Sequence, residues 1–230
     1  HLSGDWAERF LKHLATLLYE FSIHLIGGDT VFSKEQTFIN LTIIGVAMLD
    51  RIKYRAHAKP GDIIAITKPL GASFAGLQLL LKHWQGDATN PCINQHLMPQ
   101  AQLAEGQWLA EHTSVHAMMD ISDGLSLDLP KLCAASNLSA TVSLECVPID
   151  QDAAALAIAN QVRPIDIAYS GGEDYGLLLC IAPNAFASIA SAYQGQFKED
   201  LWSIGVMSGE GKHIDFTFQK QIFEPQLASF

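Results

Sequence analysis

The chain has 230 residues, of which 49% are hydrophobic and 17% charged, and its formal net charge is −10 at pH 7. A chain of this length and hydrophobicity can bury a core and form one or two globular domains. The acidic balance argues against a general nucleic-acid binder, because affinity for the phosphate backbone comes from Lys and Arg. A phosphate ligand would instead need divalent cations that bridge carboxylates to phosphates.

Two features of the sequence bear on location. No apolar run reaches the roughly 18 residues of a membrane-spanning helix, and no signal-peptide pattern opens the chain, so we expect a cytoplasmic protein without a membrane segment. The cysteines lie far apart with no C-x-x-C pair, which favours neither a zinc site nor a disulfide framework. We therefore expect buried free thiols in a reducing compartment. The four cysteines are Cys92, Cys133, Cys146 and Cys180.

The first predicted element is an amphipathic helix whose apolar residues recur at helical spacing. Those residues are Trp6, Phe10, Leu14, Leu17 and Phe21. The chain opens on His1 rather than Met, and this helix begins within a few residues. Because such a helix needs a surface to pack on, we expect the chain to be a fragment of a longer protein.

Two strands are predicted next, one over Ile23–Ile26 and a longer one over Thr37–Leu49, which is rich in Ile, Val, Phe and Thr. The first runs into Gly27-Gly28-Asp29-Thr30. Two glycines before a carboxylate suit a turn where backbone N–H groups approach an anion and the side chain meets a metal. The same residues also fit an ordinary turn between strands.

A connector from Asp50 to Asp62 holds several of the few basic residues, namely Arg51, Lys53, Arg55 and Lys59. These cations form either a solvated face or a group that reaches a phosphate. We place the domain boundary in this connector, between residues 52 and 53. Lys59-Pro60-Gly61-Asp62 predicts a turn, and Ile63–Thr67 predicts a buried strand.

A helix is predicted to open at Leu70-Gly71, followed by a looser polar segment from Gln85 to Asn94 and a second helix over about 100–112. A short apolar run then stops at Asp120-Ile121-Ser122-Asp123-Gly124, which predicts a strand that breaks into a tight turn. Mg²⁺ is typically held by one or two carboxylates together with substrate phosphates and water, and Gly124 lets backbone approach a ligand. An Asp/Ser turn that satisfies its own backbone is the alternative.

The rest of the chain alternates strands and helices without a repeat, which predicts an α/β or α+β fold. We expect Asp128 to cap a helix that runs to about Ser136. The strands are expected over 140–144, 176–181, 201–207 and 213–223, and the helices over 152–162, which Pro164 closes, and 183–193. A third glycine turn, Ser170-Gly171-Gly172-Glu173-Asp174-Tyr175, precedes the strand at 176. No P-loop and no G-x-G-x-x-G after a strand is present.

Four segments in this order closely resemble the thiamine-monophosphate kinase family, which belongs to the superfamily of aminoimidazole ribonucleotide synthetase. Each pattern is weak alone, but their order and spacing are specific in combination, and the resemblance covers nearly the whole chain. The segments read HLIGGDT from His24, AKPGD from Ala58, DISDGL from Asp120 and SGGEDY from Ser170.

The resemblance implies a Mg²⁺-assisted transfer of the γ-phosphoryl group of ATP onto thiamine monophosphate, which gives thiamine diphosphate and ADP. It implies that residues 53–230 form the C-terminal α/β domain of the superfamily, and that residues 1–52 are the remnant of a ferredoxin-like, ATP-binding N-terminal domain. The family forms its dimer through that N-terminal domain. We therefore expect a homodimer from the complete protein and no activity from this chain alone.

Site residues follow from the same resemblance, position by position. The family's nucleotide contacts correspond to Gly28, Asp29, Arg55 and Ser122. Its Mg²⁺ ligands correspond to Asp29, Asp120 and Asp123, and its contact to the thiamine phosphate corresponds to Glu173. The acceptor is a phosphate that is already ionised at neutral pH, so catalysis needs positioning and charge neutralisation rather than a strong general base. Glu173 would attract a cationic thiazolium ring.

The sequence also departs from the family pattern. An arginine-rich Leu-Arg-Pro-x-Pro-Arg segment of the family reads LMPQAQ over residues 97–102, so two cations are absent. The family's Asp-Tyr-Glu-Leu reads DYGL over residues 174–177, and Ala72 stands where the family usually has an aspartate. A substrate-stacking aromatic at the end of the family has no clear counterpart here. The candidates are Phe216, Phe218, Phe223 and Phe230.

Four other interpretations stay open. The chain could belong to a sister enzyme, such as aminoimidazole ribonucleotide synthetase, selenophosphate synthetase or the hydrogenase-maturation dehydratase. It could be a nucleotide-binding protein that has lost catalysis, which fits the missing arginines. The Gly171-Gly172-Glu173-Asp174 segment looks like the loop of a diguanylate cyclase, but the other three motifs would then be coincidences. The last interpretation is a globular domain whose turns have no chemical role.

Overall fold

The computed structural model describes residues 5–82 and 89–226. Phe230 and the first part of the polar segment that begins at Gln85 lie outside the described residues. The chain divides into two compact units, residues 1–46 and residues 47–230.

The first unit contains the predicted amphipathic helix, α1 (Trp6–Glu20). Its first turn is held by an ion pair between Arg9 and Asp5 at 3.0 Å. The strand predictions over 23–26 and 37–49 are wrong: the described residues from 21 to 46 form no strand, and all of them are exposed. A strand needs a neighbour to accept and donate its backbone hydrogen bonds, and in the part of the chain that the structure describes all seven strands belong to the second unit. β propensity alone therefore does not make these two segments form strands.

The second unit is built on a seven-stranded mixed sheet with the strand order β2-β4-β1-β5-β3-β6-β7. All neighbouring pairs are antiparallel except β3 and β6, which are parallel. The strands are β1 (Ile63–Ile66), β2 (Val115–Asp120), β3 (Leu138–Ser143), β4 (Leu177–Ile181), β5 (Trp202–Glu210), β6 (Ile214–Phe218) and β7 (Gln221–Ile222). The fold is therefore α+β, as the alternation of elements predicted.

One predicted strand, over 213–223, is instead a hairpin of β6 and β7. Gln219 and Lys220, which join the two strands, both have a positive φ, at 52° and 63°. Two central residues with positive φ are characteristic of a type I′ turn, whose twist matches that of the flanking strands. The prediction missed the hairpin because neither residue is Gly or Asn.

Helices cover both faces of the sheet. They are α2 (Ala72–Leu81), α3 (Pro91–Leu97), α4 (Leu103–Ala110), α5 (Leu125–Ser136), α6 (Gln151–Ala159), α7 (Pro164–Ser170) and α8 (Pro183–Phe197). Short 3₁₀ turns occupy Leu49–Arg51 and Leu144–Cys146. None of the described helices is long and apolar enough to cross a bilayer.

Three helices begin in a way that the predictions did not include. α3 lies in the segment expected to be loose, and its cap is Asn90, whose side chain accepts from the N–H groups of Cys92 and Ile93. Pro164 begins α7 rather than only ending the preceding helix, which suits a residue that lacks an N–H. α5 begins at Leu125, so Asp128 sits inside its first turns and is not the cap.

The core lies on both faces of the sheet. In β1, Ile64 and Ile66 face the cluster that includes α5 and α7, whereas Ala65 faces the cluster that includes α4 and α8. Because both faces are covered, β1 and β4 read as continuous apolar runs rather than as alternating patterns. The prediction of buried free cysteines is confirmed for three residues, but Cys146 is exposed.

The register of the sheet brings three loops together at one edge of the sheet. They are the loops that follow β1 and β2 and the loop that precedes β4. β4 is antiparallel to both β1 and β2, with Ile66 opposite Leu178 and Asp120 opposite Leu177. The C-terminal ends of β1 and β2 therefore meet the N-terminal end of β4. The turns that carry two of the four sequence motifs lie at this edge.

Candidate functional site

Two of the motif turns lie side by side. We call Asp120–Gly124 the aspartate turn and Ser170–Tyr175 the glutamate turn. The N–H of Glu173 donates to the carbonyl of Ser122 at 2.7 Å, and the N–H of Tyr175 donates to the carbonyl of Ile121 at 2.9 Å. Ile121 in turn donates to the carbonyl of Gly176 at 2.8 Å. The pairing of β2 and β4 thus continues into the two turns and holds them together.

Glycine is required where the turns touch. A Cβ on Gly172 would lie 2.7 Å from the carbonyl oxygen of Ser122, and a Cβ on Gly124 would lie 2.5 Å from that of Gly171. Gly124 also has a φ of +98°, which L side chains rarely adopt. The sequence suggested that Gly124 lets backbone approach a ligand, whereas in the structure it lets one turn approach the other.

The aspartate turn presents two exposed carboxylates. Asp120 is the last residue of β2, and Asp123 follows it in the turn. Lys131 bridges Asp123 to the fully buried Asp128, with 2.7 Å between Lys131 Nζ and Asp128 Oδ1. Asp128 Oδ2 also accepts the N–H of Asp123 at 2.8 Å. The hydrogen bonds that Lys131 donates to Asp123 and Asp128 raise the pKa of Lys131. Its ammonium group thus holds the Asp123 carboxylate against α5.

Asp128 was not predicted as a site residue. Its spacing from Asp123 could have suggested a contact across the helix start, but its hydrogen bonds became visible only in three dimensions.

The donor chemistry of Asp120 and Asp123 fits Mg²⁺, which needs only one or two protein carboxylates when substrate phosphates and water complete the octahedron. Among the described residues, no group of three His, Cys, Asp or Glu side chains could hold a metal.

Glu173 has a constrained backbone and a defined side chain. Its φ is +63°, an uncommon value for a residue with a Cβ. Its Oε2 lies 3.2 Å from Nδ1 of His96, and the side chain is 54% exposed. The same Nδ1 lies 2.9 Å from the hydroxyl of the buried Ser73. His96 and Ser73 are distant from Glu173 in the sequence, and no motif spacing marked them.

Asp174 anchors the glutamate turn to the start of α2. It is completely buried, and its carboxylate accepts the N–H of Gly71 at 2.7 Å and that of Ser73 at 3.1 Å. Burial raises its pKa above the usual value, whereas the hydrogen bonds from Gly71 and Ser73 and the charge of Lys68 lower it. The loop after β1 is therefore fastened to the loop before β4.

Lys68 is a cation at this edge that the sequence analysis did not single out. Its Nζ donates to the backbone carbonyl of Asp174 at 2.8 Å, and burial lowers its pKa. A Cβ on Gly176 would lie 2.7 Å from Lys68 Cγ. Gly176 thus makes room for the lysine stem.

The remaining predicted site residues belong to other segments of the chain. Gly28 and Asp29 belong to the first unit, where the Asp29 carboxylate accepts the N–H of Thr30 at 2.8 Å. Arg55 is exposed, and its carbonyl accepts the hydroxyl of Ser136 at 2.8 Å. Ser136 ends the 12-residue α5, whose start adjoins the aspartate turn. At 1.5 Å per residue this separates the Arg55 backbone from that turn by about 17 Å.

The other cations of the connector have partners within the protein. Arg51 forms an ion pair with Glu111 at 2.7 Å, and Lys53 donates to the carbonyl of His112 at 2.8 Å. Lys59 Nζ lies 3.1 Å from a ring nitrogen of His116. These contacts favour a structural role for three of the four cations.

Two family models match the chain. The C-terminal domain of AIR synthase related proteins matches residues 59–216, and the N-terminal domain of the same family matches residues 1–47. The longer match alone covers more than half of the chain. Both agree with the division into two units.

Curated relatives are similar to the chain in sequence, and a solved structure is similar to it in fold. A thiamine-monophosphate kinase of Salmonella typhimurium is 32% identical over 214 residues, which is 92% of this chain and 64% of the relative. That of Escherichia coli K12 is 35% identical over 182 residues, or 76% of this chain and 53% of the relative. The chain thus spans about half to two thirds of the length of these relatives. The structure of AaThiL complexed with AMPPCP and TMP aligns with a TM-score of 0.74 at 24% identity, covering 98% of this chain and 68% of that one.

Proposed function

Since this chain belongs to the family of AIR synthase related proteins, we propose that the protein containing it phosphorylates thiamine monophosphate to thiamine diphosphate with ATP. The observation that carries the proposal is the contact between the two motif turns. This contact supports the proposal because the exposed carboxylates Asp120 and Asp123 would suit Mg²⁺, and the turn that carries them accepts the N–H of Glu173, a carboxylate that would suit a cationic substrate. The relatives named above carry the same activity in their names, and one structural neighbour was solved with a nucleotide analogue.

In this proposal, Asp120 and Asp123 hold Mg²⁺, and Ser122 between them contacts the nucleotide. The metal, when bound, neutralises phosphate charge during phosphoryl transfer. Lys68 contributes a further positive charge at the same edge of the sheet. Glu173 attracts the thiazolium ring and so orients the acceptor phosphate, which is ionised at neutral pH and needs no strong base.

Further parts of the proposal concern the rest of the chain. Gly28 and Asp29 contact nucleotide and metal from the first unit, and Arg55 contacts ATP. The proposed domain boundary lies between residues 52 and 53, six residues after the division between the two compact units. The complete protein is proposed to be a cytoplasmic homodimer whose interface lies in its N-terminal domain.

The proposal is tested by product formation from Mg²⁺-ATP and thiamine monophosphate. The full-length protein is expected to form thiamine diphosphate, and Asp120→Asn is expected to abolish product, because the amide lacks the charge that holds Mg²⁺. Asp215→Asn is a matched control, since this half-exposed carboxylate on β6 pairs only with His213 among the described residues. Absence of product from the wild-type protein would refute the kinase. ATP binding without turnover would then favour the nucleotide-binding protein or a sister enzyme with another acceptor.

A further inference from the structure

We propose that His96 is a positioning residue that fixes the carboxylate of Glu173 for a cationic heterocycle bearing a phosphate. This inference rests on the proposed function, and it adds a residue that the motifs did not include. The observation is the contact of 3.2 Å between His96 Nδ1 and Glu173 Oε2. Because the Glu173 side chain is about half exposed, the carboxylate is both held and open to a ligand.

The tautomer of His96 determines which hydrogen bonds this contact allows. A carboxylate only accepts hydrogen bonds, so the contact favours a hydrogen on Nδ1 of His96. In that tautomer the Ser73 hydroxyl, 2.9 Å from the same nitrogen, accepts from it as well. The Glu173 side chain stays 54% exposed, so its carboxylate remains available to a cation.

His96 is itself held in place. It lies in α3, which packs against α2 so closely that a Cβ on Gly76 would be 2.1 Å from the carbonyl oxygen of Cys92. Ser73 is fixed in turn, since it is fully buried and its N–H donates to Asp174 at 3.1 Å. The imidazole is only 16% exposed. A rigid pair of helices thus presents Nδ1 of His96 to the glutamate turn.

Glu173 needs such support because its backbone is unfavourable. A residue with a Cβ at a φ of +63° persists only when its surroundings determine its conformation. The hydrogen bond from the Glu173 N–H to the Ser122 carbonyl holds the backbone of Glu173, and His96 holds its side chain. Together they fix the direction of the carboxylate relative to the aspartate turn.

The test is the affinity of the full-length protein for thiamine monophosphate, measured by calorimetry with Mg²⁺ and without ATP. His96→Leu is expected to weaken binding roughly tenfold, since the carboxylate loses its charge-assisted partner. His96→Asn places an amide N–H near the position of Nδ1 and is expected to stay within about threefold of the wild type. In turnover assays His96→Leu should raise KM with little change in kcat. His213→Leu, which removes an exposed pair with Asp215, serves as the control.

Two results would overturn the inference. Unchanged affinity in His96→Leu would show that Glu173 does not need the histidine, and equal loss in both His96 variants would show that only ring packing matters. If the wild-type protein binds no thiamine monophosphate, the proposed function fails instead. The contact is then judged by thermal unfolding of His96→Leu, Glu173→Gln and the double variant. Non-additive shifts in melting temperature support the contact between His96 and Glu173, and additive shifts reject it.

Discussion

Replacing Asp174 by Ala tests the view that this residue fastens the glutamate turn to the start of α2. The change leaves two buried N–H groups, those of Gly71 and Ser73, without their acceptor. Each unsatisfied donor costs about 1–3 kcal/mol, and part of this is offset because burying the carboxylate was itself unfavourable. We expect a net loss of ~2–4 kcal/mol at neutral pH. In a unit of this size the melting temperature should fall by about 4–16 °C.

The matched control is Asp150→Ala. Asp150 is a half-buried aspartate that caps α6, and its carboxylate accepts one hydrogen bond, from the N–H of Ala153 at 3.0 Å. Loss of a cap of this kind costs about 1 kcal/mol, so thermal unfolding should separate the two variants clearly. Equal destabilisation by Asp174→Ala and Asp150→Ala would refute the reasoning, since it would mean that the second buried donor finds another partner at no cost.

The dependence of this loss on pH gives a second check. Burial raises the pKa of folded Asp174, so its protonated form is favoured in the folded state. Its contribution to stability is therefore complete below the unfolded pKa of about 3.9 and declines as the pH rises through the folded-state pKa. The difference between the wild type and Asp174→Ala should be larger at about pH 4.5 than at about pH 8. A difference that grew with pH would show that attraction to Lys68 outweighs burial.

Three further predictions concern the site and the thiols. Gly172→Ala puts a Cβ 2.7 Å from the aspartate turn and should cost about 1–3 kcal/mol in thermal unfolding, whereas Gly209→Ala, with open space around it, should be nearly neutral. Lys131→Met frees Asp123 and should strengthen Mn²⁺ binding several-fold in calorimetry; weaker binding would show that the lysine supports the metal site. One thiol, that of the exposed Cys146, should react with a disulfide reagent near pH 8 in the folded protein, because burial raises the pKa of the other three thiols. Rapid reaction of more than one thiol would contradict the buried positions.

Much of the fold was predictable because its signals are local. Ile63–Thr67 and Gly176–Ile181 read as buried strands from their apolar runs, and β1 and β4 form there. Elements that depend on a partner were predicted poorly. The strand predictions at 23–26 and 37–49 failed because β propensity does not provide a neighbouring strand. The short helix α3 was missed because seven residues carry too little periodicity to be distinguished from a polar loop.

The candidate site shows the same division. The sequence by itself determined which residue types stand at the strand ends: Asp120 and Asp123 after an apolar run, and glycines before Glu173. Only the tertiary structure decided that the two turns touch, that Asp174 fastens the β1–α2 loop, and that His96 meets Glu173 at 3.2 Å. The physical reason is that turn and strand preferences arise from neighbouring residues. Contacts between distant segments depend on how the sheet pairs and how the helices pack against it.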